Sequence, residues 1–244
     1  MTKLGSVILH LSVVDSTNNY AAKLIEGGVV ENGSVIMADF QTAGKGQRGN
    51  TWQSVSQDNL LFSLAYQPEN ISLVQQIRLS WYTAIIWIKC LQRFGINASI
   101  KWPNDIYFGK EKLGGILIEN QVQGAKISWS VIGCGINVNS APDTYNAIAI
   151  NQIASAKFKP TTVLQEFLDL FNGHLGLLYG DFESLKIEFE QQLFGLNKIH
   201  RFEDREAMQF EACILGVNER GQLALRKNDD EVLFFDIQEL KLLL

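Results

Sequence analysis

The first apolar run, residues 4–14, is followed by Asp15-Ser16-Thr17-Asn18. The run reads as a strand, and the four short polar residues each suit a helix N-cap because their side-chain oxygens accept from free backbone N–H groups. Tyr20, Ala21, Leu24 and Ile25 recur at helical spacing up to Gly27-Gly28, so strand passes directly into helix. Residues 35–40 and 60–66 are short apolar runs between turn residues, as expected of buried strands. Ser72-x-x-Gln75 is a capping-box pattern. Val74, Ile77, Trp81, Ile85, Ile88 and Leu91 follow at three- and four-residue spacing, which predicts one long helix ending before Gly95.

Residues 100–102, 106–108, 113–119 and 126–136 read as successive strands, with turns at Pro103-Asn104-Asp105, Gly109-Lys110 and Gln123-Gly124. A second amphipathic helix is predicted from Thr161 through Leu164, Phe167, Leu168, Phe171, Leu175 and Leu178. A third follows on Phe182, Leu185, Phe189 and Leu193, up to Gly195. From about residue 200 apolar and polar positions alternate between tight turns, which suggests a small β-barrel or meander. Strands interleaved with few helices favour an α+β fold. The expected plan is a mixed sheet flanked by helices over residues 1–195 and a small β domain over residues 196–244.

Composition narrows the class. The 244 residues are 46% hydrophobic and 19% charged, which fits a folded chain and excludes a low-complexity one. A net charge of -5 argues against broad nucleic-acid binding, which needs a basic face. No signal peptide opens the chain and no apolar stretch approaches membrane-spanning length, so a cytoplasmic protein is expected. Cys90, Cys134 and Cys213 are widely spaced and suggest neither disulfides nor zinc; His10, His174 and His200 lie in unrelated contexts, so no metal site is expected.

The cations matter by position. Lys45, Arg48, Lys101, Lys110 and Lys112 all lie in or beside glycine-containing segments, so an acidic chain can still hold an anion locally. In Gly44-Lys45-Gly46-Gln47-Arg48-Gly49 the glycines let backbone N–H groups converge while two side chains add charge; a plain glycine-rich turn is the other reading. The Gly-Lys-[Ser/Thr] ending of a P-loop is absent. Lys101, just before Trp102-Pro103-Asn104-Asp105, is either an aimed cation or an edge lysine beside a core tryptophan. Gly114-Gly115 weakens a strand unless something flat must come close, and Asn137 after Gly135 either binds an anion or makes a turn.

Taken in order, "VVDSTNNYA", "QTAGKGQRGNTW", "KWPND", "EKLGGILIE" and "GCGINVN" resemble the catalytic domain of biotin protein ligases, strongly over residues 5–140. The resemblance implies the fold of that family, akin to class II aminoacyl-tRNA synthetases, with a small C-terminal SH3-like barrel. It implies formation of biotinyl-5'-adenylate from biotin and ATP with Mg²⁺, then transfer to a lysine of a biotin carboxyl carrier domain. By similarity Ser16, Thr17, Asn18 and Gln41 hold biotin's ureido ring, Lys45, Gly46 and Gln47 close over biotin and the α-phosphate, and Gly114 and Gly115 line the pocket. Lys101 is expected to contact the attacking carboxylate as the catalytic residue. Gly44, Lys45, Gln47, Arg48, Trp52, Asn104 and Asn137 are expected to face ATP or the adenylate.

Two departures stand out. Gln47 replaces an arginine that many relatives carry, and the ligase signature begins by Leu4, so no DNA-binding domain and no DNA partner are expected; the short apolar stretches predict no membrane partner, and a homodimer is compatible. A lipoate protein ligase, or a non-catalytic vitamin-binding regulator of the same fold, are the alternatives.

Overall fold

The computed structural model describes residues 3–53, 57–143, 146–227 and 231–244. Its frame is a seven-stranded sheet in the order β1-β2-β3-β7-β6-β5-β4. The strands are β1 (Ile8–Val14), β2 (Ser34–Gln41), β3 (Leu60–Tyr66), β4 (Ser99–Lys101), β5 (Asp105–Phe108), β6 (Glu111–Gln123) and β7 (Lys126–Ile136). Only the β1–β2 pair is parallel, and α1 (Thr17–Glu26) makes that crossover.

The sheet is covered on both faces, which is why its central strands read as unbroken apolar runs. On β2, Val35 and Met37 enter the main core while Ile36 packs with Ala21 and Ile25 of α1 on the other face. The main core lies under α2 (Ile77–Arg93), α4 (Pro160–Gly173) and α6 (Phe182–Gln191). Trp87 of α2 stacks on Phe167 of α4 at 4.4 Å, and Trp81 stacks on Phe189 of α6 at 5.1 Å. Each fully buried side chain of this size contributes roughly 1.5–3 kcal/mol.

Four expectations change. The first strand begins at Ile8: Gly5 turns the chain with φ +82, and the backbone of Leu4 is held by the Asn172 side chain at 3.0 and 3.1 Å. A 3-10 turn over Leu73–Gln75 precedes α2, with the Ser72 N–H donating to the Gln75 side chain at 3.2 Å. The helix from residue 160 breaks at His174, whose ring nitrogen and backbone N–H both approach the Leu170 carbonyl, so α5 (Leu175–Tyr179) is separate. The apolar spacing continues across that break and hides it. The fourth is α3 (Ile150–Ala154), too short to show a period.

The C-terminal segment forms a five-stranded antiparallel sheet, ordered β11-β10-β9-β8-β12. Its strands are β8 (Ile199–Asp204), β9 (Gln209–Val217), β10 (Leu223–Arg226), β11 (Val232–Phe235) and β12 (Leu240–Leu243). Phe202, Ile214, Leu223 and Leu225 join the main core, and the Trp102 indole donates to the Gly221 carbonyl at 2.9 Å. Among the described residues no helix is long and apolar enough to cross a membrane.

Candidate active site

The site starts from a polar exception in an apolar strand. Ser63 sits in β3 with no solvent exposure, facing the first turn of α1. Ser16, Thr17 and Asn18 are 1%, 4% and 3% exposed, so their polar groups need partners. Ser63 Oγ lies 2.7 Å from Thr17 Oγ1 and 2.6 Å from Asn18 Oδ1. The Thr17 N–H donates to Gln41 Oε1 at 2.7 Å, tying the end of β2 to the helix. Ser16 occupies the N-cap position and makes no side-chain cap hydrogen bond.

Beside this cluster β7 carries Gly133 and Gly135, and a neighbouring side chain fills the space beside each. A methyl on Gly133 would overlap the Asn18 side chain, and one on Gly135 would lie 2.5 Å from the Trp52 indole. The glycines form the floor on which these two side chains rest. Trp52 ends a small flap in which Gly46 N–H donates to the Asn50 carbonyl at 2.7 Å and Trp52 N–H to the Gly44 carbonyl at 2.9 Å. The flap also holds a 3-10 turn, Gln47–Gly49.

The cationic wall comes from an irregular strand pair. Ile106 of β5 pairs with Gly114 of β6, but Tyr107 pairs with Lys112, so one residue is inserted in β6. Such a bulge breaks the two-residue alternation. Leu113 and Gly114 both turn to the core, a methyl on Gly114 overlapping Ile136, and Lys112 moves to the face that Gly115 presents. There its ammonium lies 2.6 Å from Asp105 Oδ1 and 5.7 Å from the Trp52 ring centre.

These elements enclose a cavity of about 270 Å³. Ser16, Thr17, Asn18 and Gln41 line one end; Lys45, Gly46, Gln47 and Trp52 form the flap side; Asn104 and Gly115 complete the expected set. Asn104 is itself fixed, donating to the Ile116 carbonyl at 2.5 Å. Gly44 lies inside the flap and Gly114 faces the core, so neither lines the cavity. Asn137 is 2% exposed and spends its amide N–H groups on the Lys112 and Ile148 carbonyls, at 3.3 and 3.2 Å, acting behind Lys112 instead of at the surface. The Arg48 side chain lies outside the described part of the structure.

Lys101 is also elsewhere. It lines an adjoining cavity of about 190 Å³ beneath the C-terminal sheet, its ammonium 3.4 Å from the Tyr107 hydroxyl and 4.9 Å from that ring's centre. Burial pulls its pKa below the ordinary lysine value; Asp105 opposes that shift, and Lys112 and Lys241 add to it. The two cavities meet at Pro103, Asp105, Ile237, Gln238 and Leu240.

Sequence reasoning named Lys112 among the cations able to hold an anion but gave it no place in the site, and it missed this C-terminal rim. Lys112 had a signal, a lysine beside a glycine pair, but its direction depends on the bulge. Ile237, Gln238 and Leu240 carry no local signal, because their place is set by how the second sheet docks. Burial also raises the Cys134 thiol to about 12, and its sulfur accepts from the Trp87 indole at 3.3 Å, so it serves as a wall. No cluster of three His, Cys, Asp or Glu occurs among the described residues.

The model of the biotin/lipoate A/B protein ligase family matches residues 11–137, which hold the helix cap, the flap, the bulge and the glycine floor. The chain belongs to that family. Other family members extend the likeness beyond this region. The bifunctional ligase/repressor BirA of Bacillus subtilis is 29% identical over 234 residues, covering 93% of this chain and 71% of that protein. The biotin--[acetyl-CoA-carboxylase] ligase of Paracoccus denitrificans is 32% identical over 136 residues, 54% of this chain and 55% of that one. A biotin protein ligase from Aquifex aeolicus, solved with biotin and ATP, shares the fold of this family member at a TM-score of 0.79. The two are 24% identical, with 97% of this chain and 98% of that chain covered.

Proposed function

We propose that the protein is an ATP-dependent biotin protein ligase, which forms biotinyl-5'-AMP and passes the biotinyl group to a lysine of a biotin carboxyl carrier domain. The observation that carries this is one cavity with an uncharged amide and hydroxyl end, around Ser16, Thr17 and Gln41, and a cationic end at Lys45 and Lys112. A neutral ureido ring suits the first end and a carboxylate meeting a phosphate suits the second.

The chemistry needs no protein nucleophile. The biotin carboxylate oxygen attacks the α-phosphorus, the bond to the pyrophosphate oxygen breaks, and pyrophosphate leaves with the electron pair. The neutral amine of the carrier lysine then attacks the acyl carbon and AMP leaves. What the chain supplies is position and charge. Lys112, held by its strand and by Asp105, takes the role first assigned to Lys101: it meets the carboxylate and balances charge gathering at phosphorus. Lys45, Gly46 and Gln47 close from the flap, and the Trp52 indole, whose buried N–H has no partner, offers a flat face to the adenylate. Asp105, the cavity's carboxylate, is engaged by Lys112, so the described residues offer no cage for Mg²⁺; the ion fits as a companion of the ATP phosphates.

We read residues 1–195 as the catalytic domain and 196–244 as a second domain of SH3-like barrel type whose edge completes the cavity. The test is incubation with ATP, Mg²⁺ and either biotin or lipoate, following pyrophosphate release and label transfer to a carrier domain. Release with biotin supports the reading; release with lipoate alone makes the chain a lipoate ligase, and binding without turnover makes it a regulator.

A further inference from the structure

Glu119 lies outside the cavity lining, on the same face of β6 as Gly115 and Leu117. Its carboxylate accepts from Asn18 Nδ2 at 2.7 Å through Oε2, and from Lys45 Nζ at 3.4 Å through Oε1. One side chain therefore touches both a buried residue of the ring-binding end and the exposed cation of the flap.

The carboxylate fixes more than its neighbours. An ionised carboxyl group and a backbone carbonyl only accept, so Asn18 turns its NH₂ toward Glu119 and the Leu117 carbonyl, 3.4 Å away, and its oxygen toward Ser63. Asn18 Oδ1 cannot donate, so the single Ser63 hydroxyl proton is spent on it at 2.6 Å. The Thr17 hydroxyl, with one proton, then donates either to Ser63 at 2.7 Å or to Gln41 Oε1 at 3.1 Å. Gln41 Oε1 is held by the Thr17 N–H at 2.7 Å, which leaves the Gln41 NH₂ pointing away from the helix. The ring of contacts starts on Gln41 at the root of the flap and returns to Lys45 within it.

The geometry points to Glu119 as a positioning residue that, with the Leu117 carbonyl, holds the Asn18 amide at the ring-binding end and ties the flap to it, a role that rests on the ligase reading above. Of the two acceptors that hold the Asn18 amide, the carboxylate is the nearer, 2.7 Å against 3.4 Å, and its bond is charge-assisted.

The test is Glu119→Gln in the full chain, which keeps the shape but loses the charge that holds both the Asn18 amide and Lys45. The KM for biotin in pyrophosphate release rises roughly tenfold, as when one charge-assisted hydrogen bond is lost, while kcat and Tm hold. Without ligand, hydrogen exchange at the flap amides of Gly46, Asn50 and Trp52 speeds up roughly two- to five-fold, the scale of an exposed ion pair. Lys45→Met gives the same acceleration and the double variant no more. Wild-type KM and wild-type exchange overturn the proposal, and a shift in only one of them breaks the claim that one carboxylate serves both. A wild-type protein that releases no pyrophosphate with biotin and ATP sinks the ligase reading instead, and the ligand-free exchange comparison still decides whether Glu119 holds the flap.

Discussion

The Lys112 ammonium and the Asp105 carboxylate face each other at 2.6 Å across the irregular step between β5 and β6. Lysine side chains lose about 2 kcal/mol of rotamer freedom when ordered, and pairing with a strand-borne carboxylate meets that cost before any ligand arrives. A cation already aimed into the cavity reorganises little when charge develops on a reacting phosphorus.

The glycine floor makes a paired prediction. Gly133→Ala drives a methyl into Asn18, which three hydrogen bonds hold in place at 2.6, 2.7 and 3.4 Å, so the strand itself must shift. We expect a loss of about 1–3 kcal/mol in urea unfolding, together with lost biotin binding. Gly135→Ala meets Trp52, which belongs to the flap and can lift, so stability changes little while pyrophosphate release falls. Equal destabilisation by both variants would refute this distinction.

Gln47 lines the cavity from the flap without a charge. Gln47→Arg adds a cation beside the adenylate phosphate, and dissociation of pre-formed biotinyl-5'-AMP should slow several-fold, about 1 kcal/mol of extra ion pairing in a partly open site. The check is adenylate retention during rapid gel filtration, with equal release from both proteins as the contrary result.

Lys101 titrates against stability. Burial lowers its proton affinity in the folded chain, so between that lowered value and the ordinary 10.5 the unfolded chain holds the extra proton and stability rises with pH. Lys101→Met lacks the burdened charge. The Tm of the variant relative to wild type should therefore be highest near pH 7 and fall as pH approaches 10.5. A difference that stays constant over that range would show that the ammonium carries no burial cost.

Much of this architecture was legible along the chain. β3 and β7 match the apolar runs because both of their faces are covered, and α1 announces itself through its polar cap. The ring-binding cluster and the flap are contiguous in sequence, so their residues could be grouped without knowing the fold. What stayed hidden depends on distant pairing. The insertion at Leu113 puts Lys112 on the cavity side and Gly114 on the core side, where simple alternation gives them the same face. Asn137 sits at the expected strand end, yet the Lys112 and Ile148 carbonyls claim its amide. Lys101 precedes the proline turn as expected, but β4 is the outermost strand and leaves it under the second sheet.

The deciding measurement compares Lys112→Met with Lys101→Met in biotin-dependent pyrophosphate release, with Tm recorded for each. The account predicts a fall of roughly 100-fold or more for Lys112→Met in a folded protein, the scale of losing one charge aimed at a transition state, and a much smaller fall for Lys101→Met. Wild-type turnover by a folded Lys112→Met, or the larger loss at Lys101, would contradict it.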